Sequence, residues 1–162
     1  MKILDPIRPA ALAAFFAVSL PGAALAHDHV LIKDGFIRSA PPTAPTAAGY
    51  AVIENHRDVP VHITGVSADV AAKVELHTTR QGSDGVMRMI HLSEGITIPA
   101  GGSHALQPGQ DHVMFMGLKS PLEQGASVPV TFHFDGLSDL TVDLTVDHQG
   151  SGHGGHGAHG MK

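Results

Sequence analysis

Val128-Pro-Val-Thr-Phe-His-Phe-Asp-Gly-Leu-Ser-Asp-Leu-Thr-Val-Asp-Leu-Thr-Val146 decides the fold class. Apolar residues recur at every second position: Val128, Val130, Phe132 and Phe134, then Leu140, Val142, Leu144 and Val146. A period of two marks a half-buried β-strand, and Gly136 supplies the break between two of them. Working outward, the same pattern predicts strands at Val30–Arg38, Gly49–Asn55, Val61–Ser67, Lys73–Thr79, Gly85–Leu92, Ile96–Ile98, His104–Gln107 and His112–Leu118. Turn chemistry separates them at Pro41-Pro42, His56–Pro60, Gly82–Gly85, Pro99–Gly102, Pro108-Gly109 and Gly125. Ala68–Ala72 reads as a short helical turn. No stretch past residue 30 sustains a helical apolar period. The expected fold is all-β, a Greek-key sandwich.

Composition narrows the function. The chain has 162 residues, the length of one domain. Its net charge is −5 with histidine neutral, and no basic run is present, which argues against nucleic-acid binding. There is no cysteine. That excludes a disulfide scaffold, a thiolate nucleophile, a cysteine-ligated zinc or blue-copper site, and a lipobox. Histidine is the unusual residue, with 13 against 10 Lys and Arg.

The two ends read differently from the middle. In residues 1–26, Lys2 and Arg8 precede an apolar run from Ala10 to Leu20, then Pro21-Gly22 and Ala24-Leu25-Ala26. This is the pattern of a secretory signal peptide cleaved after Ala26, and the run is too short to span a membrane. The expected location is the periplasm, with no membrane insertion after cleavage. The folded domain is expected over 27–147. From 148 to 162 the chain is mostly Gly and His, cannot offset its ordering entropy by burial, and is expected to be disordered.

Candidate chemistry lies between these ends. On a strand, His112, Met114 and Met116 share one face while Val113 and Phe115 take the core face. If the hairpin loop is centred on residue 83, His77 lies opposite Met89 and Thr79 opposite Met87. A loop of different parity sends them to the other face. Methionine is ordinarily a gap-filler, and a lone histidine on a strand is usually solvated. The joint occurrence is less ordinary. A His/Met set without carboxylate suits a soft cation such as Cu(I) better than zinc. Neither paired carboxylates nor a nucleophile beside a base is legible, which argues against an enzyme.

Val74-Glu-Leu-His77, Gly85-Val-Met-Arg-Met89, Gly95-Ile-Thr-Ile-Pro-Ala-Gly-Gly102, Pro108-Gly, His112-Val-Met-Phe-Met-Gly-Leu-Lys119 and Pro121-Leu follow in order, preceded by Thr46-Ala-Ala-Gly-Tyr-Ala-Val-Ile-Glu-Asn55. Together they resemble the periplasmic copper chaperones of the PCu(A)C type, from about Phe36 to Val146. The resemblance implies a cupredoxin-like sandwich, and Cu(I) held by His77, Met89, His112 and Met114. It also implies delivery of copper to the copper-bearing subunit of cytochrome oxidase, alongside Sco-type thioredoxin-like proteins. Family spacing is usually H-x10-M-x21-H-x-M. Here it is His77-x11-Met89-x22-His112-x-Met114. Met87 therefore competes with Met89 for the second position, Met116 is an auxiliary candidate, and His91 is a bystander. His27-Asp28-His29 at the new N-terminus and His148, His153, His156 and His159 in the tail are auxiliary candidates for Cu(II). His56, His62, His104 and His133 read as ordinary histidines. The rival reading is a metal-sequestering, copper-tolerance sandwich without specific delivery.

Overall fold

The computed structural model of the chain describes residues 29–39 and 43–149. The signal segment, His27, His153, His156 and His159 lie outside the described residues. Ten strands follow one another: β1 Val30–Arg38, β2 Thr46–Asn55, β3 Val61–Ser67, β4 Ala71–Gln81, β5 Met87–His91, β6 Ile96–Ile98, β7 Ser103–Leu106, β8 Asp111–Leu118, β9 Ser127–Phe134 and β10 Leu140–Val146. The described residues contain no helix. Hydrogen bonding runs in the order β5-β4-β8-β2-β1-β10-β9-β3-β6, with β7 paired to β2. Both ends of this path send side chains into one core, so the path closes on itself as a sandwich. Leu76 and Phe115 from one end meet Ile63, Val130, Phe132 and Ile98 from the other in a single buried cluster.

The strands form where alternation and β-branching favour them, and the pattern of burial follows the sequence. In β9, Val128, Val130, Phe132 and Phe134 are buried while Ser127 and Pro129 are exposed. Pro129 lacks an N–H and still sits in a paired strand, opposite Asp143. Ala68–Ala72 forms no helical turn. Asp69 and Val70 make a tight turn, and Ala71 already opens β4 through its pairing with Leu118. Small residues with weak strand propensity join the sheet here because β8 offers a ladder beside them. The same cause starts β2 at Thr46, earlier than expected, where Thr46 pairs with Met116 and Ala47 with Phe115.

One consequence of this register positions the site. Val113 and Phe115 are fully buried, so their neighbours His112, Met114 and Met116 are fixed on the opposite face of β8. Gly49 assists: a side chain there would crowd the Phe115 ring and Val113. Phe115→Ala is expected to destabilise the domain by about 3–5 kcal/mol, as a large buried aromatic does. Met114→Leu, on the other face of the same strand, is expected to cost under about 1.5 kcal/mol because it nearly conserves volume. Urea unfolding of both variants checks the contrast.

Candidate metal centre

Three histidines occupy one rung of the sheet. β4 pairs with β8 so that His77 faces His112, and with β5 so that His77 faces His91. The rings of His77 and His112 are 6.2 Å apart and those of His77 and His91 5.6 Å. The β4–β5 loop is thus centred one residue later than expected. Thr79, not His77, stands opposite Met89, and Gln81 stands opposite Met87. A hydrogen bond from Gly85 N–H to the Gly82 carbonyl and the Arg88–Asp84 ion pair close this loop. Its parity is unchanged, so His77 and Met89 still share a face.

The methionines lie around this rung at different distances. Met114 is opposite Glu75 and Met116 opposite Lys73. Met89 and Met114 are each one step from the histidine rung, on its two sides, within diagonal reach of a long side chain. Met87 and Met116 are each one step further out. Met89 and Met87 are 62% and 55% exposed on the edge strand β5. Met114 and Met116 are half-buried.

The imidazoles carry the most specific information. His112 is 3% exposed and packs near Tyr50, at 6.4 Å between rings. Tyr50 is itself held between Phe36, 5.0 Å away, and the Arg38 guanidinium. The Nδ1–H of His112 donates to the Gln110 carbonyl at 2.9 Å. Its Nε2 is buried and has no hydrogen-bond partner. His77 is the mirror case. Its Nε2–H donates to the Glu75 carboxylate at 3.1 Å, and its buried Nδ1 has no partner. A neutral imidazole has one N–H and one lone pair. In each ring the N–H is occupied, so the unpartnered atom is the lone pair. A buried polar atom left in this state costs about 1–3 kcal/mol. Two such atoms lie on one rung. Metal–imidazole bonds of about 2.0–2.1 Å place two rings sharing one ion about 5–6 Å apart, close to the separation seen. Among the described residues no group of three His, Cys, Asp or Glu side chains is arranged to hold a metal. The one carboxylate at the rung, Glu75, is engaged by Lys73 and His77, and the thioethers of Met89 and Met114 flank the imidazole pair, a donor set that suits a soft monovalent ion.

Glu75 is only 15% exposed, and Lys73 Nζ reaches it at 2.7 Å. The hydrogen bond from Lys73 and then that from His77 hold its carboxyl below the ordinary glutamate value. His91 Nε2 is 3.7 Å from the same carboxylate.

His56 bonds Glu54 and His62 bonds Thr97. His104 Nε2 lies 3.0 Å from Asp111 but is buried without a hydrogen bond, and its cross-strand neighbour is Ile53, not a second imidazole. His29 is exposed and stacks on His56 at 4.9 Å. His148 is docked on the domain: its two ring nitrogens face the Ser39 and Leu122 carbonyls, each at 3.0 Å, and its main-chain N–H donates to Gln124. Nδ1 also lies 3.3 Å from the Ser39 hydroxyl, so both ring nitrogens of His148 are engaged by the domain in this position. The folded part extends through Gln149, whose N–H bonds Asp147.

One arrangement was not legible in the sequence. Ser67 Oγ lies 2.8 Å from His133 Nε2, and His133 Nδ1–H donates to Asp139 at 2.9 Å. A hydroxyl does therefore sit beside a base. Ser67 on β3 and Asp139 in the loop after β9 are exposed, and His133 on β9 is half-buried. A cavity of about 330 Å³ nearby is lined by Asp139 but by neither Ser67 nor His133. Without an enclosing cleft to exclude water, the chain of bonds reads as a surface network.

Residues 30–146 match the LpqE-like family model. "Putative lipoprotein Lxx21020" of Leifsonia xyli subsp. xyli is 31% identical over 134 residues, 80% of this chain and 79% of that protein. The solution structure of Cu(I)-bound DR1885 from Deinococcus radiodurans is 32% identical with a TM-score of 0.61, covering 79% of this chain and 84% of that one. The copper-bound PCuAC domain from PmoF2 shares the fold, at 19% identity and a TM-score of 0.59, over 73% of this chain and 92% of the domain.

Because the Glu75 carboxyl is held below its ordinary value of 4.5, its contribution to stability is present above that value and is lost as pH falls through the lowered one. Metal-free Glu75→Gln is therefore expected to lose less stability than the wild type on acidification below pH 4.5. Thermal melts across that range check it.

Proposed function

The chain belongs to the LpqE-like (PCuAC) family, and from that premise we propose that it is a periplasmic copper chaperone, a carrier and not an enzyme. His77 Nδ1 and His112 Nε2 bind Cu(I), and Met89 and Met114 complete the shell. The observation that carries this reading is the pair of buried, unpartnered lone-pair nitrogens on one rung. Register supports Met89 over Met87, since Met89 is one step from that rung and Met87 is two.

The chemistry suits carriage. Two imidazoles on the sheet are rigid and pre-oriented. Met89 on the exposed edge strand is free to swing on and off. A receiving protein's ligands approach from that open side before the imidazoles release the ion. Copper is cargo here, and the chain's own residues hold it, exclude water on the Tyr50 side and yield it at the Met89 side. Proposed recipients are the copper-bearing subunit of a cytochrome oxidase and Sco-type proteins. Export rests on Met1–Ala26. Although relatives carry lipoprotein names, this sequence has no cysteine for a lipid to attach to. Among the described residues no helix is long and apolar enough to cross a membrane. The tail histidines His153, His156 and His159 and the His27-Asp28-His29 end are proposed as weaker Cu(II) sites.

A Cu(I) competition titration against a chromogenic chelator tests the reading, on the full chain and on a chain ending at Gln149. One tight equivalent is expected in both. His112→Ala is expected to abolish it. Met114→Leu is expected to weaken it by at least about tenfold, since even outer-shell partners of a metal are worth that much. Loss of the tight site together with the tail would instead identify a metal-sequestering segment on a sandwich with no site of its own.

A further inference from the structure

We infer that Glu75 is a positioning residue that fixes the tautomer of His77 and so selects Nδ1 as its metal-binding nitrogen. The inference rests on the proposed ligand role of His77 and concerns how that ligand is prepared.

Glu75 and His77 are two residues apart on β4, so their side chains emerge on the same face. Glu75 Oε2 accepts from His77 Nε2–H at 3.1 Å, and Oε1 accepts from Lys73 at 2.7 Å. Both carboxylate oxygens are thereby committed, and the group is anchored on two sides. Lys73 also answers a cost. A carboxylate at this depth, 15% exposed, needs a compensating charge. Lys73 supplies it from the next outward-facing position on the same strand. A free imidazole exchanges between two tautomers. A carboxylate on Nε2 favours the form with the proton there, which leaves the lone pair on Nδ1. That atom is the buried, unpartnered one. Removing Glu75 leaves nothing described here to hold the proton on Nε2, and the ring is then free to turn or to change tautomer.

His112 is prepared by a different device with the opposite result. The Gln110 carbonyl holds its Nδ1–H at 2.9 Å and leaves the lone pair on Nε2. One ring is oriented by a main-chain group that no side-chain substitution removes. The other depends on a single carboxylate, so Glu75 is the replaceable element of the pair. Partners of this kind typically change metal affinity 10–100-fold.

The test pairs long-range 15N–1H NMR of the imidazole rings with Cu(I) competition titration, on the full chain. In the wild-type apo protein His77 is expected as the Nε2–H tautomer. Glu75→Ala is expected to give a tautomer mixture and a loss of about 10–100-fold in Cu(I) affinity. Glu75→Gln offers an amide oxygen to the same N–H and is expected to restore the tautomer and most of the affinity. A purely structural role would move affinity with folding and leave the tautomer unchanged. An Nδ1–H tautomer in the wild type overturns the inference whether or not any variant folds. So does a Glu75→Ala protein that keeps the wild-type tautomer and affinity while His77→Ala loses binding. If His77→Ala itself binds Cu(I) as tightly as wild type, the ligand assignment has failed, and the role of Glu75 falls with it.

Discussion

The pairing of β4 with β8 is the constraint on which the site depends. Its register sets Leu76 against Val113 on the core face and His77 against His112 on the other. Leu76, Val113 and Phe115 are almost wholly removed from water. Slipping either strand by one residue would turn its histidine toward the hydrophobic core and its apolar residues away from it. The hydrophobic effect thus fixes the imidazoles indirectly: burial on one face of two strands determines the geometry of donors on the other. The ladder alone brings the two rings to one rung.

The two kinds of donor are held differently, and the difference follows from position in the sheet. β8 is interior, flanked by β4 and β2, whereas β5 is the edge. His112 is consequently buried and Met114 half-buried, while Met87, Met89 and Ile90 are exposed. An edge strand carrying exposed apolar residues is ordinarily a liability. In the proposed centre it also provides an open approach: the imidazoles form the rigid side and Met89, on the edge strand, the yielding one.

Much of this was legible in the residues. Alternation in Val128–Phe134 and Leu140–Val146 identified strands that the structure places at Ser127–Phe134 and Leu140–Val146. Period-two reasoning alone separated Val113 and Phe115 from His112, Met114 and Met116. What escaped was set by contacts distant in sequence. Ala68–Ala72 suggested a helical turn because local propensity ignores β8, which draws Ala71 into a strand. The hairpin register was one residue off, because loop length cannot be read without the ladder. The motif spacing makes His91 a bystander, and the ladder sets it directly across from His77. The role of Glu75 needed the side-chain contact, and Ser67–His133–Asp139 joins three segments that no local motif connects. His148 reads as tail in the sequence, and the fold sets it between the Ser39 and Leu122 carbonyls.

X-ray absorption at the copper edge, on protein loaded with one equivalent of Cu(I), tests the central claim most directly. A shell containing both nitrogen and sulfur, in which His77→Ala and His112→Ala each remove a nitrogen, is the predicted result. A shell of sulfur alone, or one whose nitrogen content is unchanged by both substitutions, would contradict it.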